Sequence, residues 1–250
     1  MCIIGTALNV HPDYPFIMAA NRDEFYNRRT KEAHFWPEDP SVLGGKDLER
    51  GGSWLGISSS GDLAALTNVR RPSSDSDALR SRGELISSYF NKRNTFKQNL
   101  NMRDKYGGFN LLYGNLNKLT FITNQSGDKK VLTRGIHVLS NASLNSPWPK
   151  SLMLKKGIEK STAYTGSRLV EYLLQLLSFN EPFADKELPD TGVGIALERK
   201  LSPVFIQTEN YGTRSSTVIL ADRSGNITFT EKSYVPEFLS ITYHFPVRKT

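Results

Sequence analysis

The only cysteine of the chain is Cys2, directly behind Met1. A small second residue permits removal of that methionine, after which Cys2 would carry a thiol nucleophile and a free α-amine on one carbon. With a reference pKa of roughly 7.7–8.0, the amine can accept the thiol's proton at neutral pH. One residue would then supply both nucleophile and general base. Taken alone, Met-Cys reads as the ordinary opening of a buried strand, since free Cys is among the most buried residue types.

Other polar residues recur at strand ends. Asn21-Arg22-Asp23-Glu24 follows the apolar run Phe16-Ile17-Met18-Ala19-Ala20, and Asn68, Asn141 and Arg214 each follow or flank a strand-like stretch. Their chemistry is complementary to that of Cys2. A carboxylate could hold the amine, guanidinium groups could lower the thiol pKa and attract an anion, and side-chain amides could donate to a tetrahedral oxyanion. Turns rich in Asn and Arg also arise for mundane reasons. The chain has no Walker-type loop, no Gly-x-Ser-x-Gly elbow and no His-Glu-x-x-His. His11, His34, His137 and His244 lie far apart without ligand spacing, so a metal site is not expected, although any of them could ligate a haem iron if the fold carried it to a pocket.

These residues need elements to position them. Cys2 to Leu8 and Phe16 to Ala20 predict an antiparallel hairpin across the turn His11-Pro12-Asp13-Tyr14-Pro15, returning Asn21 to Glu24 towards Cys2. Adjacent strand residues face opposite sides, so Arg22 and Asp23 both reach the thiol only where the strand has ended. Residues Phe25 to Arg50, with Pro37, Pro40, Gly44 and Gly45, read as a long loop. A second hairpin spans Gly52–Ser58 and Leu63–Asn68. The polar stretch Ser73 to Asp77 could act as a lid.

Ser81 and Glu84 have capping-box spacing at a helix start, and another helical stretch covers Thr95–Lys105. Strands are expected at Phe109–Gly114, Leu119–Thr123, Val131-Leu132 and Ile136–Ser140. Trp148-Pro149-Lys150 opens a helix, and Leu169 to Leu177 forms another. Asn180 to Lys200 reads as a loop, followed by strands at Val204–Thr208, Ser215–Leu220, Ile227–Thr230 and Ile241–Phe245. This order of strands and helices fits α+β layers better than a doubly wound parallel sheet.

At 250 residues, 38% hydrophobic and 23% charged, the chain suits one soluble domain, residues 1–250. No apolar run approaches the ~20 residues of a membrane span, no signal peptide is evident, and a single cysteine suits a reducing cytoplasm. The net charge of +7 is spread over short clusters such as Arg28-Arg29 and Val69-Arg70-Arg71-Pro72. An anionic small ligand is therefore expected rather than nucleic acid.

Eight stretches in one order resemble the NRDE family, the family of transport and Golgi organisation protein 2. They are Met1-Cys2-Ile3-Ile4, Ala19 to Tyr26, Gly51 to Ile57, Leu63 to Asn68, Gly107 to Leu112, Leu139 to Ala142, Pro147 to Lys150 and Tyr211 to Thr217. That family in turn resembles the N-terminal-nucleophile (Ntn) hydrolases of the bile-salt hydrolase and penicillin V acylase branch. The resemblance implies a four-layer α-β-β-α sandwich of two antiparallel sheets. It also implies catalytic places for Cys2, Arg22, Asp23, Asn68, Asn141 and Arg214, although Arg22 and Asp23 are adjacent here and spaced apart in the hydrolases. For function it implies haem trafficking or lipid and acyl-coenzyme A handling, with haem as a transported ligand and no metal cofactor. The alternative it carries is an amidohydrolase or acyltransferase acting on linear amides through Cys2. The implied ligand set is Asn21, Arg22, Asp23, Glu24, Arg70 and Arg71, in an aromatic pocket rimmed by Arg22, Arg70, Arg71 and Arg214.

Overall fold

The computed structural model describes residues 2–70, 79–91 and 93–248. Among these the chain forms β1 (Cys2–Leu8), β2 (Phe16–Phe25), β3 (Thr30–Trp36), β4 (Asp39–Asp47), β5 (Leu55–Ser58) and β6 (Asp62–Asn68), then helices α1 (Gly83–Asn91) and α2 (Arg93–Asn101). Strands β7 (Phe109–Asn115), β8 (Lys118–Thr123), β9 (Lys129–Leu132) and β10 (Gly135–Leu139) follow, then α3 (Pro149–Lys160), α4 (Gly166–Leu177) and α5 (Ile195–Lys200). The last elements are β11 (Tyr211–Ala221), β12 (Asn226–Ser233) and β13 (Leu239–Pro246).

Two antiparallel sheets result, in the orders β10-β1-β2-β11-β12-β13 and β3-β4-β5-β6-β7-β8-β9. The central strands of the first sheet are apolar on both faces, because each face is covered. Ile4, Phe16, Met18 and Ala20 point inward and meet Leu55, Ile57, Ala65 and Leu112 of the second sheet. Ile3, Ile17, Ala19 and Val218 point outward against Leu154, Ile158, Leu169 and Leu173 of α3 and α4. On the far side, Leu85, Ile86 and Phe96 of α1 and α2 cover Ala64, Leu66, Phe109 and Leu111. The architecture is the α-β-β-α sandwich. Each fully buried aliphatic side chain in these layers contributes about 1.5–3 kcal/mol.

Two close approaches set the ends where the site lies. A Cβ on Gly5 would come within 2.3 Å of Ile158 Cδ1 and 3.1 Å of Leu154 Cδ2, so α3 lies directly on β1. A Cβ on Gly52 would meet the Gly83 carbonyl carbon at 2.5 Å, and Ser53 N–H donates to the Gly83 carbonyl at 3.2 Å. That contact presses the start of α1 onto the start of β5.

Several expectations require correction. Residues Phe25 to Arg50 are not a loop: β2 runs to Phe25, and β3 and β4 fill most of the remainder. The turn signals were real but local. Pro37 lies between β3 and β4, and Gly44 is in β4 where a Cβ would sit 2.4 Å from the Leu55 carbonyl, a backbone approach that glycine permits within a strand. Val204–Thr208 is not a strand. Its apolar residues are buried by a segment held to β2 and β11 through Asn21 Nδ2 donating to the Val204 carbonyl at 2.9 Å and Thr213 N–H donating to the Ile206 carbonyl at 2.8 Å. The Asn180 to Lys200 stretch ends in α5. Glu84 pairs with Arg80 at 2.6 Å and accepts the Tyr106 hydroxyl at 3.4 Å. The Ser73 to Asp77 lid and Arg71 fall outside the described residues.

Candidate functional site

Register places Cys2 opposite Arg22. Along β2 the side chains of Ile17, Ala19 and Asn21 face the helices, whereas Met18, Ala20 and Arg22 face the space between the sheets. Cys2 and Arg22 therefore stand side by side at the open end of the inter-sheet layer. β2 does not end at Ala20, so Asp23 takes the opposite face, where Oδ1 accepts the Thr213 hydroxyl at 2.7 Å. In this register Asp23 lies one position beyond the Cys2–Arg22 pair, on the side of the Cys2 backbone nitrogen. Its own backbone N–H points at the thiol.

Arg214 occupies a bulge. Asp23 pairs with Thr213 and Arg22 with Ser215, leaving Arg214 as the extra residue, and a bulge re-aims its side chain. The Arg214 guanidinium donates to the Phe25 and Tyr26 carbonyls at 2.9 and 2.5 Å, fastening the turn after β2. It lines a small cavity of about 20 Å³ with Arg22 and Glu231. It does not line the Cys2 cleft.

Asn141 is likewise a fastener. Its Nδ2 donates to the Asn68 carbonyl at 2.9 Å, its own carbonyl accepts the Arg70 N–H at 3.0 Å, and Oδ1 accepts from Ser140 at 3.2 Å. It thereby ties the end of β10 to the end of β6. Asn68 itself borders the cleft. Asn21 faces the helices, donating to the carbonyls of Leu177 and Val204 and accepting from Ser216. Arg70 turns away to Glu198, which it meets at 2.5 Å.

The cleft over Cys2 has a volume of about 280 Å³. β2 and the turn after it supply Arg22, Asp23, Glu24 and Arg28; the segment after β4 supplies Asp47, Arg50, Ser53 and Trp54; the entry to α1 supplies Arg80, Ser81, Arg82 and Gly83. Five arginines and three acidic residues thus line the cleft, Asp23 with its carboxylate turned to the helix side. Arg28 is held by Asp47 at 2.7 Å and Arg82 by the Gly108 carbonyl at 3.1 Å. The aromatic lining expected from sequence reduces to Trp54, and none of the four histidines lines the cleft.

The electrostatics follow from burial. Cys2 is only 5% exposed, and burial raises its thiol pKa, as does Asp23; the positive charge of the amino terminus, the Asp23 backbone N–H and Arg22 pull the other way. A thiol raised in this way needs a base before it reacts. Burial also raises Asp23, against the positive amino terminus, Lys150, Thr213 and Arg70. Burial pulls the Lys150 ammonium down to about 8, and pushes Tyr211 well above its usual range, with Asp23 and Cys2 adding to it.

Lys150, Glu198, Tyr211 and Glu231 were not singled out as site residues from the sequence. For two of them a signal was available. Lys150 precedes Leu154 and Ile158 by four and eight residues, the spacing of one helix face, which makes it the polar member of a buried stripe. Glu231 continues the inward alternation Ile227, Phe229, Glu231 along β12.

Two variant structures of the conjugated bile acid hydrolase from Clostridium perfringens superpose with TM-scores of 0.52 and 0.51 at 8% and 9% identity, each covering 99% of this chain and 98% of theirs. Such low identity speaks to the fold, which is that of the Ntn hydrolases. In sequence the chain is 36% identical to the Transport and Golgi organization 2 homolog of Mus musculus, covering 99% of this chain and 100% of the relative. The same figures hold for the Homo sapiens homolog. The Drosophila melanogaster protein is 28% identical over 93% of this chain and 92% of its own. The profile of Transport and Golgi organisation 2 matches residues 1–236, and with this agreement along nearly its whole length the chain belongs to that family.

Proposed function

We propose that the Cys2 cleft binds a small anionic acyl compound, its acid group held by the arginines and its acyl carbon lying against the thiol. The observation that carries this reading is the set of five guanidinium groups gathered over one buried sulfur. Guanidinium groups grip carboxylates and phosphates with paired, charge-assisted hydrogen bonds, and Trp54 and Leu66 provide the apolar wall that an acyl chain needs. A thiol raised by burial favours holding the ligand over attacking it. Haem, the other ligand class in view, would take Cys2 as its iron ligand, since the lining residues include no imidazole.

Titrating a short-chain acyl-coenzyme A and, separately, haem into the protein tests the reading. One acyl ligand per chain is expected, weakened by salt and by roughly tenfold or more in Arg22→Ala, the loss of one charge-assisted contact. Saturable haem uptake that disappears in Cys2→Ser, with no acyl binding, would replace acyl ligands by haem. Saturation by neither would refute a ligand-handling cleft.

A second reading, an N-terminal-cysteine amidohydrolase, is favoured by the register that sets Asp23 beside the Cys2 nitrogen. With Met1 removed, that nitrogen would be an amine held by Asp23. It would accept the thiol proton as sulfur attacks the amide carbon, and the proton would leave with the departing amine. Water would then cleave the thioester, releasing the acid and restoring the thiol. Intact mass combined with acyl release from N-acyl amino acids tests this route, and activity in a protein that retains Met1 would exclude it.

A further inference from the structure

The inward face of the first sheet carries a polar row at its Cys2 end. Cys2 pairs with Arg22, Arg22 with Ser215 and Ser215 with Ser233, and residues opposite each other on one face of a sheet stand about 4.5–5.5 Å apart. Two spaces lie over this row. Arg22 and Trp54 line both the Cys2 cleft and the separate cavity of about 20 Å³, to which Ser215 and Ser233 also turn. The cavity takes one species the size of a water molecule, which needs about 10–15 Å³.

Two buried guanidinium groups line this cavity without a counter-ion. Arg22 and Arg214 are 5% and 4% exposed, and both donate to neutral oxygens: Arg22 to the Thr30 hydroxyl at 2.7 Å, Arg214 to the carbonyls of Phe25, Tyr26 and Val235. Neither enters a salt bridge among the described residues. The buried Nε of Arg214 has no hydrogen-bond partner among them. Glu231 lines the same cavity, but its two oxygens accept the Ala33 N–H and the Thr217 hydroxyl. Lys31 and Glu32 of β3 add one charge of each sign. Burial first, and then the like charge of Arg22, pull the Arg214 pKa below its usual range. A buried charge left uncompensated is costly, so the lining lacks a negative species that accepts hydrogen bonds.

We propose that this cavity binds one monoatomic anion of the halide class, such as chloride, between the guanidinium groups of Arg22 and Arg214, with the Ser215 and Ser233 hydroxyls as further donors. Size excludes the larger anions. A carboxylate or phosphate brings at least three heavy atoms, more than a space of about 20 Å³ admits. A water molecule would satisfy Arg214 Nε but leave two like charges facing each other. The halide offsets both, and it anchors Arg22 from the side away from Cys2. This site is distinct from the cleft, so it stands or falls independently of the acyl-ligand reading.

The experiment compares urea unfolding of the full chain in sodium chloride, sodium bromide and sodium gluconate at equal ionic strength, and locates bromide in crystals by its anomalous scattering. Gluconate is too large to enter. Halide at ten times its dissociation constant is expected to shift the folding equilibrium by about tenfold over gluconate, with a bromide peak between Arg22 and Arg214. Ser233→Val, which removes a hydroxyl and fills the cavity, is expected to abolish the shift. Arg214→Lys, which keeps the charge and loses Nε, is expected to reduce it. No halide-specific shift, or one of equal size in the wild type and Ser233→Val, overturns the proposal. So does an ordered water in place of the bromide peak, and so does a peak without a shift, which means binding at crystal concentration only. Where Ser233→Val does not fold, an undiminished shift in Arg214→Lys overturns it instead.

Discussion

Replacing Glu231 by Gln tests how the inter-sheet layer bears a charge. Glu231 is buried on the inward face of β12, where Oε1 accepts the Ala33 N–H of β3 at 2.7 Å and Oε2 accepts the Thr217 hydroxyl at 3.4 Å. Burial raises its carboxyl from an ordinary value of 4.5 to about 7, although the Ala33 N–H and Arg22 pull downward. Between those two values the folded chain keeps a proton that the unfolded chain has released. Stability from this group is therefore fully present below pH 4.5 and falls as pH rises towards about 7. At about 1.36 kcal/mol per pK unit, the loss amounts to about 3 kcal/mol. Gln keeps an acceptor for Ala33 and does not titrate, so Glu231→Gln should gain about that much on the wild type between pH 4.5 and pH 8. Urea unfolding of both proteins across this range measures the difference, in which other titrating groups cancel. A difference that stays constant with pH, or one that moves in favour of the wild type, would refute the reasoning and mean that Arg22 keeps Glu231 ionised in the folded chain.

Two further outcomes are open to measurement. Gly5→Ala places a methyl 2.3 Å from Ile158 Cδ1, and overpacking of that kind should cost about 1–3 kcal/mol; a melting temperature equal to that of the wild type would contradict the seating of α3 on β1. Glu198→Ala strands the buried Arg70 guanidinium and should cost about 3–5 kcal/mol in denaturant unfolding, whereas the paired apolar change Arg70→Met with Glu198→Leu should cost less, because no uncompensated charge remains. Equal losses in the single and double variants would show that the ion pair is not what holds α5.

The first hairpin was legible because alternation is a local property. Cys2 and Arg22 could be set near each other from two apolar runs and one turn, and a period of two places them on one face once they are known to pair. Family motifs carried the sandwich itself. Features depending on contacts between distant segments were hidden. Phe25 to Arg50 carries loop-like Pro and Gly, yet those glycines serve strands whose neighbours approach their backbone. Arg214 reads as a site residue, but the bulge opposite Arg22 and Asp23 turns it into a clasp for the β2 turn.

Arg70 meets Glu198 across 128 positions, and Lys150, in a helix opening, finds its acceptor in the Leu201 carbonyl, 51 positions away. The sequence by itself determined which side chains could do chemistry and which strand would deliver them to Cys2. Tertiary structure decided which charges are buried and which partners offset them. Desolvation and pairing depend on what packs alongside, and no single segment carries that information.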